Sequence, residues 1–201
     1  MRTLVIVDVQ NDFLPGGSLP VPGSDAIIPV INGLMRRFDL VVAAQDWHPQ
    51  SHRSFASNHP GRKPFEETEF HGLAQTLWPD HCVQGSHGAQ FSSALDPGPI
   101  EAIFRKGTDP QIDSYSAFFD NGHRKATGLA AYLRGRGAKD LYLCGLAGDI
   151  CVYFTALDAI EEGFDVHFIV DAATPLDPAA HATRLQALRD RGAIVLESRG
   201  L

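Results

Sequence analysis

The chain has few cysteines, no long apolar run and no basic cluster, and each shortage narrows what it can be. Its three cysteines, Cys82, Cys144 and Cys151, are too few and too odd in number for a disulfide framework. That points to a reducing compartment, and the cytoplasm is the expected location. No stretch approaches the roughly 20 apolar residues that cross a bilayer as a helix. The apolar start at residues 3–7 is ended by Asp8, too soon for a signal-peptide core. The formal net charge is −7, so the cationic face that neutralises phosphates in nucleic-acid binding is missing. Neither nucleic acid nor membrane is an expected partner. Internal repeats and low-complexity tracts are absent as well.

What is there suits an enzyme-sized α/β domain. A length of 201 residues with 44% hydrophobic and 20% charged content fits one globular domain with a substantial core. Residues 4–7 do not alternate between apolar and polar, as expected of a strand buried on both faces. Further strands are predicted at 40–44, 100–104, 140–144, 164–170 and 193–196. Helices are predicted at 24–37, where Ser24 or Asp25 could cap, and at 122–136, 150–162 and 178–191. Strands alternating with helices imply right-handed crossovers, hence a three-layer, doubly wound, mainly parallel six-stranded sheet with helices on both faces. Residues 49–91 interrupt this rhythm. We read them as a site-building insertion with short helical pieces inside a single domain over 1–201.

The residues able to do chemistry follow strand ends. Asp8 follows the first strand, Asp46 and His48 the second, Lys106 the third and Cys151 the fourth. Parallel sheets gather ligands at that edge. Taken singly, Asp8 reads as well as a turn aspartate, Lys106 as a surface lysine and Cys151 as a buried thiol. Their shared edge favours a joint reading. Cys151 at a helix N-terminus, with Asp149 placed to cap it, would lie among unpaired N–H groups that lower a thiol pKa and hold an oxyanion. Asp8 could serve as base and then acid, and Lys106 could steady the thiolate. Asp46 and His48, two residues apart, could converge as metal ligands with His81, and His52 is a further candidate. A mixed carboxylate–imidazole set suits zinc, iron or manganese. Phe13, Trp78 and Tyr115 could wall a slot for a flat ring. The remaining six histidines are read as structural or surface residues.

Five stretches, Val7-Asp-Val-Gln-Asn-Asp-Phe13, Gln45-Asp-Trp-His-Pro49, Trp78-Pro-Asp-His-Cys-Val-Gln-Gly85, Phe104-Arg-Lys-Gly107 and Gly145-Leu-Ala-Gly-Asp-Ile-Cys-Val152, resemble the nicotinamidase/pyrazinamidase family of isochorismatase-like cysteine hydrolases. The resemblance runs from Leu4 to about Thr174. It implies the isochorismatase-like hydrolase fold and the conversion of nicotinamide, with pyrazinamide as a second substrate, to the acid and ammonia in NAD salvage. It also implies Cys151 as nucleophile, Asp8 as general base and acid, and Lys106 as third member of the triad. The N–H groups of Ala147 and Cys151 would form the oxyanion hole, with a non-proline cis peptide between Ala147 and Gly148. Asp46, His48 and His81 would hold one divalent metal, zinc before iron or manganese. Phe13 and Trp78 would sandwich the ring, with Tyr115 beside them. Gly148 departs from the family, which often has Thr or Ser there. Two other readings stay open: a metal-free hydrolase of a carbamoyl or ureido amide, and a non-catalytic metal or thiol sensor. The oligomeric state, monomer or homo-oligomer, is left open too.

Overall fold

The computed structural model describes residues 1–201. In chain order the regular elements are β1 Arg2–Val7, α1 Ile27–Met35, β2 Leu40–Asp46, β3 Glu67–Phe70, β4 Leu73–Thr76 and β5 Ala102–Lys106. They continue with α2 Leu129–Gly135, β6 Asp140–Gly145, α3 Cys151–Glu161, β7 Asp165–Ala173, α4 Pro178–Asp190 and β8 Ile194–Leu196. Six strands form one sheet in the order β5-β2-β1-β6-β7-β8, and every pairing in it is parallel. No helix is long and apolar enough to cross a membrane.

The non-alternating strands are buried on both faces, as their composition requires. Leu4 and Ile6 of β1 join the core under α1, and Val5 and Val7 join the core under α2, α3 and α4. The two layers are unequal. Besides α1, the first face is filled by loop residues such as Phe13, Leu19, Trp78 and Leu95. Those loops lie where the site is built.

Several boundaries differ from expectation. The helix predicted at 24–37 is a 3-10 turn, Ser24–Ala26, followed by α1. Ser24 does not cap it, because its hydroxyl donates to the Phe13 carbonyl at 2.9 Å. The helix predicted at 122–136 shrinks to α2. Gly128 before it is left-handed, with φ 95°. The Asp120 carboxylate holds 122–124 in a turn by accepting the N–H groups of Gly122 and Arg124. The stretch 49–91 holds one 3-10 turn, Ala56–Asn58, and an antiparallel hairpin, β3–β4, in place of helical pieces. The hairpin turns at His71-Gly72, both with positive φ (57° and 79°), as a tight two-residue turn demands. Asp46 and Lys106, predicted just beyond strands, are the last residues of β2 and β5 and pair in register.

Candidate active site

The chain builds β2 and β5 on one side of β1, then returns to add β6, β7 and β8 on the other. That reversal opens a crevice beyond the ends of β1 and β6, where a doubly wound sheet binds ligands. Asp8 leaves β1 with φ 52°, a left-handed conformation that aspartate tolerates better than most residues. Gly145 ends β6 with φ 117°, and a Cβ there would lie 2.0 Å from the Val7 carbonyl oxygen. Glycine therefore lets the turn after β6 lie against the end of β1, which brings Cys151, first residue of α3, beside Asp8.

Lys106 is the hub. Its Nζ lies 2.8 Å from Asp8 Oδ2 and 2.6 Å from Asp46 Oδ1. It also donates to the Ser114 carbonyl at 3.0 Å and to Cys151 Sγ at 3.4 Å. One oxygen of Asp8, one of Asp46 and the Cys151 sulfur lie within 4.8 Å of one another. Burial works against the Lys106 charge, but the carboxylates of Asp46 and Asp8 hold its pKa well above the usual lysine value. Burial pushes the Asp8 carboxyl up to about 7 against the pull of Lys106. Asp8 Oδ2 is paired with Lys106, whereas Oδ1 has no hydrogen-bond partner and is free to take a proton.

The expected drop in the thiol pKa is not found. Burial pushes the Cys151 thiol well above its ordinary value, and the Asp8 and Asp46 charges add to that, while Lys106 opposes it. One ammonium shared among three anionic partners cannot offset the loss of water around a thiolate. The proton that burial favours on the thiol has a carboxylate, Asp8, beside it to receive it. Asp149 does not cap α3 either: its carboxylate accepts the N–H groups of Leu176 and Asp177, tying the turn to the chain after β7. The cis peptide is Leu146–Ala147, one residue earlier than expected. The turn closes on the Ala147 carbonyl, which accepts from Ile150 and Val152, while Gly148 N–H donates to Thr174. The N–H groups of Ala147 and Cys151 are not taken up by these hydrogen bonds.

Asp46, His48 and His81 face one another. His48 Nδ1 lies 2.9 Å from the Gly107 carbonyl and His81 Nδ1 lies 2.7 Å from the Pro79 carbonyl. A carbonyl only accepts, so each Nδ1 carries the proton and each Nε2 presents a lone pair. Those Nε2 atoms lie 3.5 and 3.9 Å from Asp46 Oδ2, and His48 Nε2 has no hydrogen-bond partner. Ligands about 2.0–2.2 Å from a common ion stand no more than about 4.4 Å apart. Three acceptors at such spacing with no proton between two of the pairs fit a divalent cation, oriented by carbonyls behind the imidazoles. Burial opposes charge on His48 while the Asp46 carboxylate raises its pKa, so a bound cation would compete with a proton for the Nε2 lone pair. Gly107 is needed here: it has φ 64°, and a Cβ would lie 2.2 Å from the His48 ring. His81 arrives through a parallel bridge that docks Val83 against His48.

Phe13, Trp78 and Tyr115 line the same chamber as Asp46, His81, Ala147 and Cys151. Phe13 packs on His81 with ring centroids 5.5 Å apart. Trp78 Nε1 donates to the Tyr115 hydroxyl at 3.3 Å. Asp8, Lys106 and His48 lie directly behind this lining, in contact with Asp46 or Cys151. His52 stands next to it: its ring lies 4.4 Å from His48, and it groups with His48 and Asp113, not with Asp46 and His81.

Sequence reading missed three residues. Asp113 lines the chamber. Gln75 donates to Asp113 at 3.0 Å and to the Tyr115 hydroxyl at 3.3 Å. Gln10 clasps the Asp46 backbone, donating to its carbonyl and accepting its N–H, both at 2.8 Å. Gln10 lies inside the Val7–Phe13 stretch and could have been suspected. Asp113 and Gln75 are ordinary polar residues of loop and hairpin, and nothing local marks them.

The Isochorismatase domain family matches residues 2–199. A nicotinamidase of Acinetobacter baylyi is 49% identical over 174 residues, covering 87% of this chain and 81% of that protein. The solved nicotinamidase/pyrazinamidase of Acinetobacter baumanii is 46% identical with a TM-score of 0.96, over 99% of this chain and 97% of that one. The pyrazinamidase of Pyrococcus horikoshii, solved in complex with zinc, is 38% identical with a TM-score of 0.81, over 98% of both chains.

Proposed function

The chain belongs to the isochorismatase family, in its nicotinamidase branch, and we propose that its chamber hydrolyses nicotinamide to nicotinate and ammonia through Cys151. The observation that carries this reading is the convergence of thiol, carboxylate and ammonium with three metal-ligand atoms in one small aromatic chamber.

The Cys151 sulfur attacks the carboxamide carbon while Asp8 takes the thiol proton. Asp8 suits that task because its carboxyl, raised to about 7, both accepts and returns a proton near neutrality. Lys106 steadies the charge passing between sulfur and carboxylate. The N–H groups of Ala147 and Cys151 receive the oxygen that gains charge, and losing one such donor typically costs about 10²–10³ in rate. Asp8 returns its proton to the nitrogen, ammonia leaves, and a thioester remains on Cys151. Water that gives its proton to Asp8 then cleaves the thioester to the acid, and the sulfur recovers its proton. Phe13, Trp78 and Tyr115 hold the ring so that the amide carbon lies against the sulfur, a placement worth several kcal/mol. Asp46, His48 and His81 would hold a divalent metal, zinc by preference and iron or manganese as alternatives, which when bound supplies a Lewis acid to orient and polarise the ring. Pyrazinamide, a flat ring amide of similar size, is the second substrate of this reading, and the reaction belongs to pyridine-nucleotide salvage. A metal-free amidase of ureido substrates would leave the His48 and His81 Nε2 atoms turned toward Asp46 without a purpose.

Ammonia release from nicotinamide by purified protein, with and without chelator, tests the reading. Turnover is expected, lost on chelation and restored by one of the three metals. No ammonia from nicotinamide under any metal would end it. His81→Ala is expected to lower bound metal and turnover together, by at least about 100-fold in rate, checked by elemental analysis beside the assay. Undiminished metal in that variant would remove His81 from the ligand set. The Asp8 carboxyl sets a pH dependence as well. The base must be ionised, so kcat/KM should fall as pH drops through the Asp8 pKa. That limb belongs at or somewhat below pH 7, since a cation at Asp46 adds to the pull of Lys106. A profile flat down to about pH 4, the ordinary aspartate range, would mean that Asp8 is not the base.

A further inference from the structure

Asp113 stands in the chamber wall without a part in the steps above. It lies in the loop between β5 and α2 and is 4% exposed. Its Oδ1 accepts the Ser114 N–H at 2.8 Å and its Oδ2 accepts Gln75 Nε2 at 3.0 Å. Both oxygens accept from neutral donors, which suits the carboxylate and not the acid. No lysine or arginine is within ion-pair distance of it. Its nearest cationic support is imidazole: a nitrogen each of His48 and His52 lies within 4.8 Å of an Asp113 oxygen, and against burial these two draw its pKa down. A buried carboxylate without a partner of fixed charge is still costly, so a purely structural post is an expensive way to fill the position. The chamber's one ammonium, Lys106, is already shared by Asp8 and Asp46.

The hydrolysis reading, on which this inference rests, gives that charge a use. Substrate and product share one ring and nearly one shape. They differ in that the amide is neutral and the acid is an anion. A flat aromatic slot cannot separate them by shape, whereas a fixed negative charge on its wall can. We infer that Asp113 is a specificity-determining residue: its carboxylate disfavours the anionic product in the chamber and so selects neutral amides over their acids. Selection then works by repulsion of the wrong ligand as well as by contact with the right one. It also speeds product departure, because the charge that arises in the last step meets a like charge on the wall. Removing one unit charge from the wall of a buried site changes the affinity of a monovalent anion by about ten-fold.

The rival role for Asp113 is anchoring β4 through Gln75, which would act on geometry and not on charge. Binding of nicotinamide and of nicotinate to metal-replete Cys151→Ala protein, followed by calorimetry, separates the two. Asp113→Asn is expected to tighten nicotinate about ten-fold relative to nicotinamide, with metal content unchanged. Gln75→Leu cuts the tie to β4 but keeps the carboxylate, and is expected to leave the ratio of the two affinities where it was. An unmoved ratio in Asp113→Asn overturns the inference. So does an equal shift in Gln75→Leu, or loss of the metal from Asp113→Asn. Should Asp113→Asn fail to fold, Asp113→Ser removes the same charge, keeps an oxygen for the Ser114 N–H and carries the same expectation. A parent protein that binds neither ligand takes down the hydrolysis reading together with this one, whereas a protein that binds both with an unmoved ratio takes down this one alone.

Discussion

Cys151→Ala is expected to lower turnover of nicotinamide by at least ~10⁴-fold while leaving the fold, the bound metal and nicotinamide binding intact. The magnitude follows from the behaviour of covalent catalysis: removing the nucleophile removes the pathway, and what remains is background from binding and charge stabilisation. The fold should survive because the change deletes a single sulfur atom at the chamber wall, where Cys151 is 7% exposed. Its one hydrogen-bond donor, Lys106, keeps three other partners. Ammonia release and calorimetry on the same preparation check both halves. Turnover within ten-fold of the unaltered protein would show that another group attacks the amide. Cys151→Ser is the informative companion. A hydroxyl is a weaker acid than a thiol, and Asp8 at about 7 is a poorer match for it, so serine should not restore the rate.

Lys106→Met is expected to cost both activity and stability. Its side chain is fully buried, and its Nζ is the only cation paired with either Asp8 or Asp46 apart from the histidines. Removing one partner of a buried ion pair typically costs about 3–5 kcal/mol, because the remaining charge is stranded away from water. Here two carboxylates are stranded. The rate should fall at least ~10³-fold, since Asp8 loses the charge that keeps its pKa near neutrality and becomes protonated in the working range. The stability loss carries a pH signature. Burial opposes ionisation of Asp46, and Lys106 is the largest force holding its pKa low. That stabilisation is present above the unfolded aspartate value of about 4 and is lost as pH falls. The variant should therefore be most destabilised near neutrality, and the gap should narrow as pH falls, first as its stranded carboxyls protonate and then, below about pH 4, as the unaltered protein loses the Asp46 stabilisation too. Denaturant unfolding at several pH values measures this, and a penalty independent of pH would mean that Lys106 supports the fold by packing alone. Added metal should recover part of the lost stability by neutralising Asp46, which separates the stranded-charge account from a loss of side-chain volume.

Much of the site was legible because its residues follow strand ends. Asp8, Asp46, Lys106 and Cys151 each come at or just after a run of strand-forming residues, and parallel strands place such positions at one edge. The register makes this concrete: Asp46 pairs directly with Lys106, and Val7 pairs with both Ala44 and Gly145. The hairpin in the insertion was missed because its strands, Glu67–Phe70 and Leu73–Thr76, are short, polar and half-exposed, leaving little periodicity to read. Its turn at His71-Gly72 was the available signal. Asp113 was missed because its importance comes from Gln75, from the hairpin, and from the chamber, none of them near it in sequence. The thiol was misjudged for a related reason. A helix N-terminus and a lysine argued for a low pKa, but the sequence does not say how completely Cys151 is buried or that two carboxylates share its cation.

Residue types and their order alone determined the sheet's parallel character, the edge where chemistry gathers, and the side chains able to do it, because local hydrophobic pattern and strand ends are properties of short segments. The unequal layering, the orientation of two imidazole nitrogens toward Asp46, the burial of the Cys151 thiol and the place of Asp113 on the chamber wall were decided only in three dimensions. Each depends on burial and on partners brought from distant parts of the chain, and the energy of a charge or a lone pair is set by what surrounds it in space.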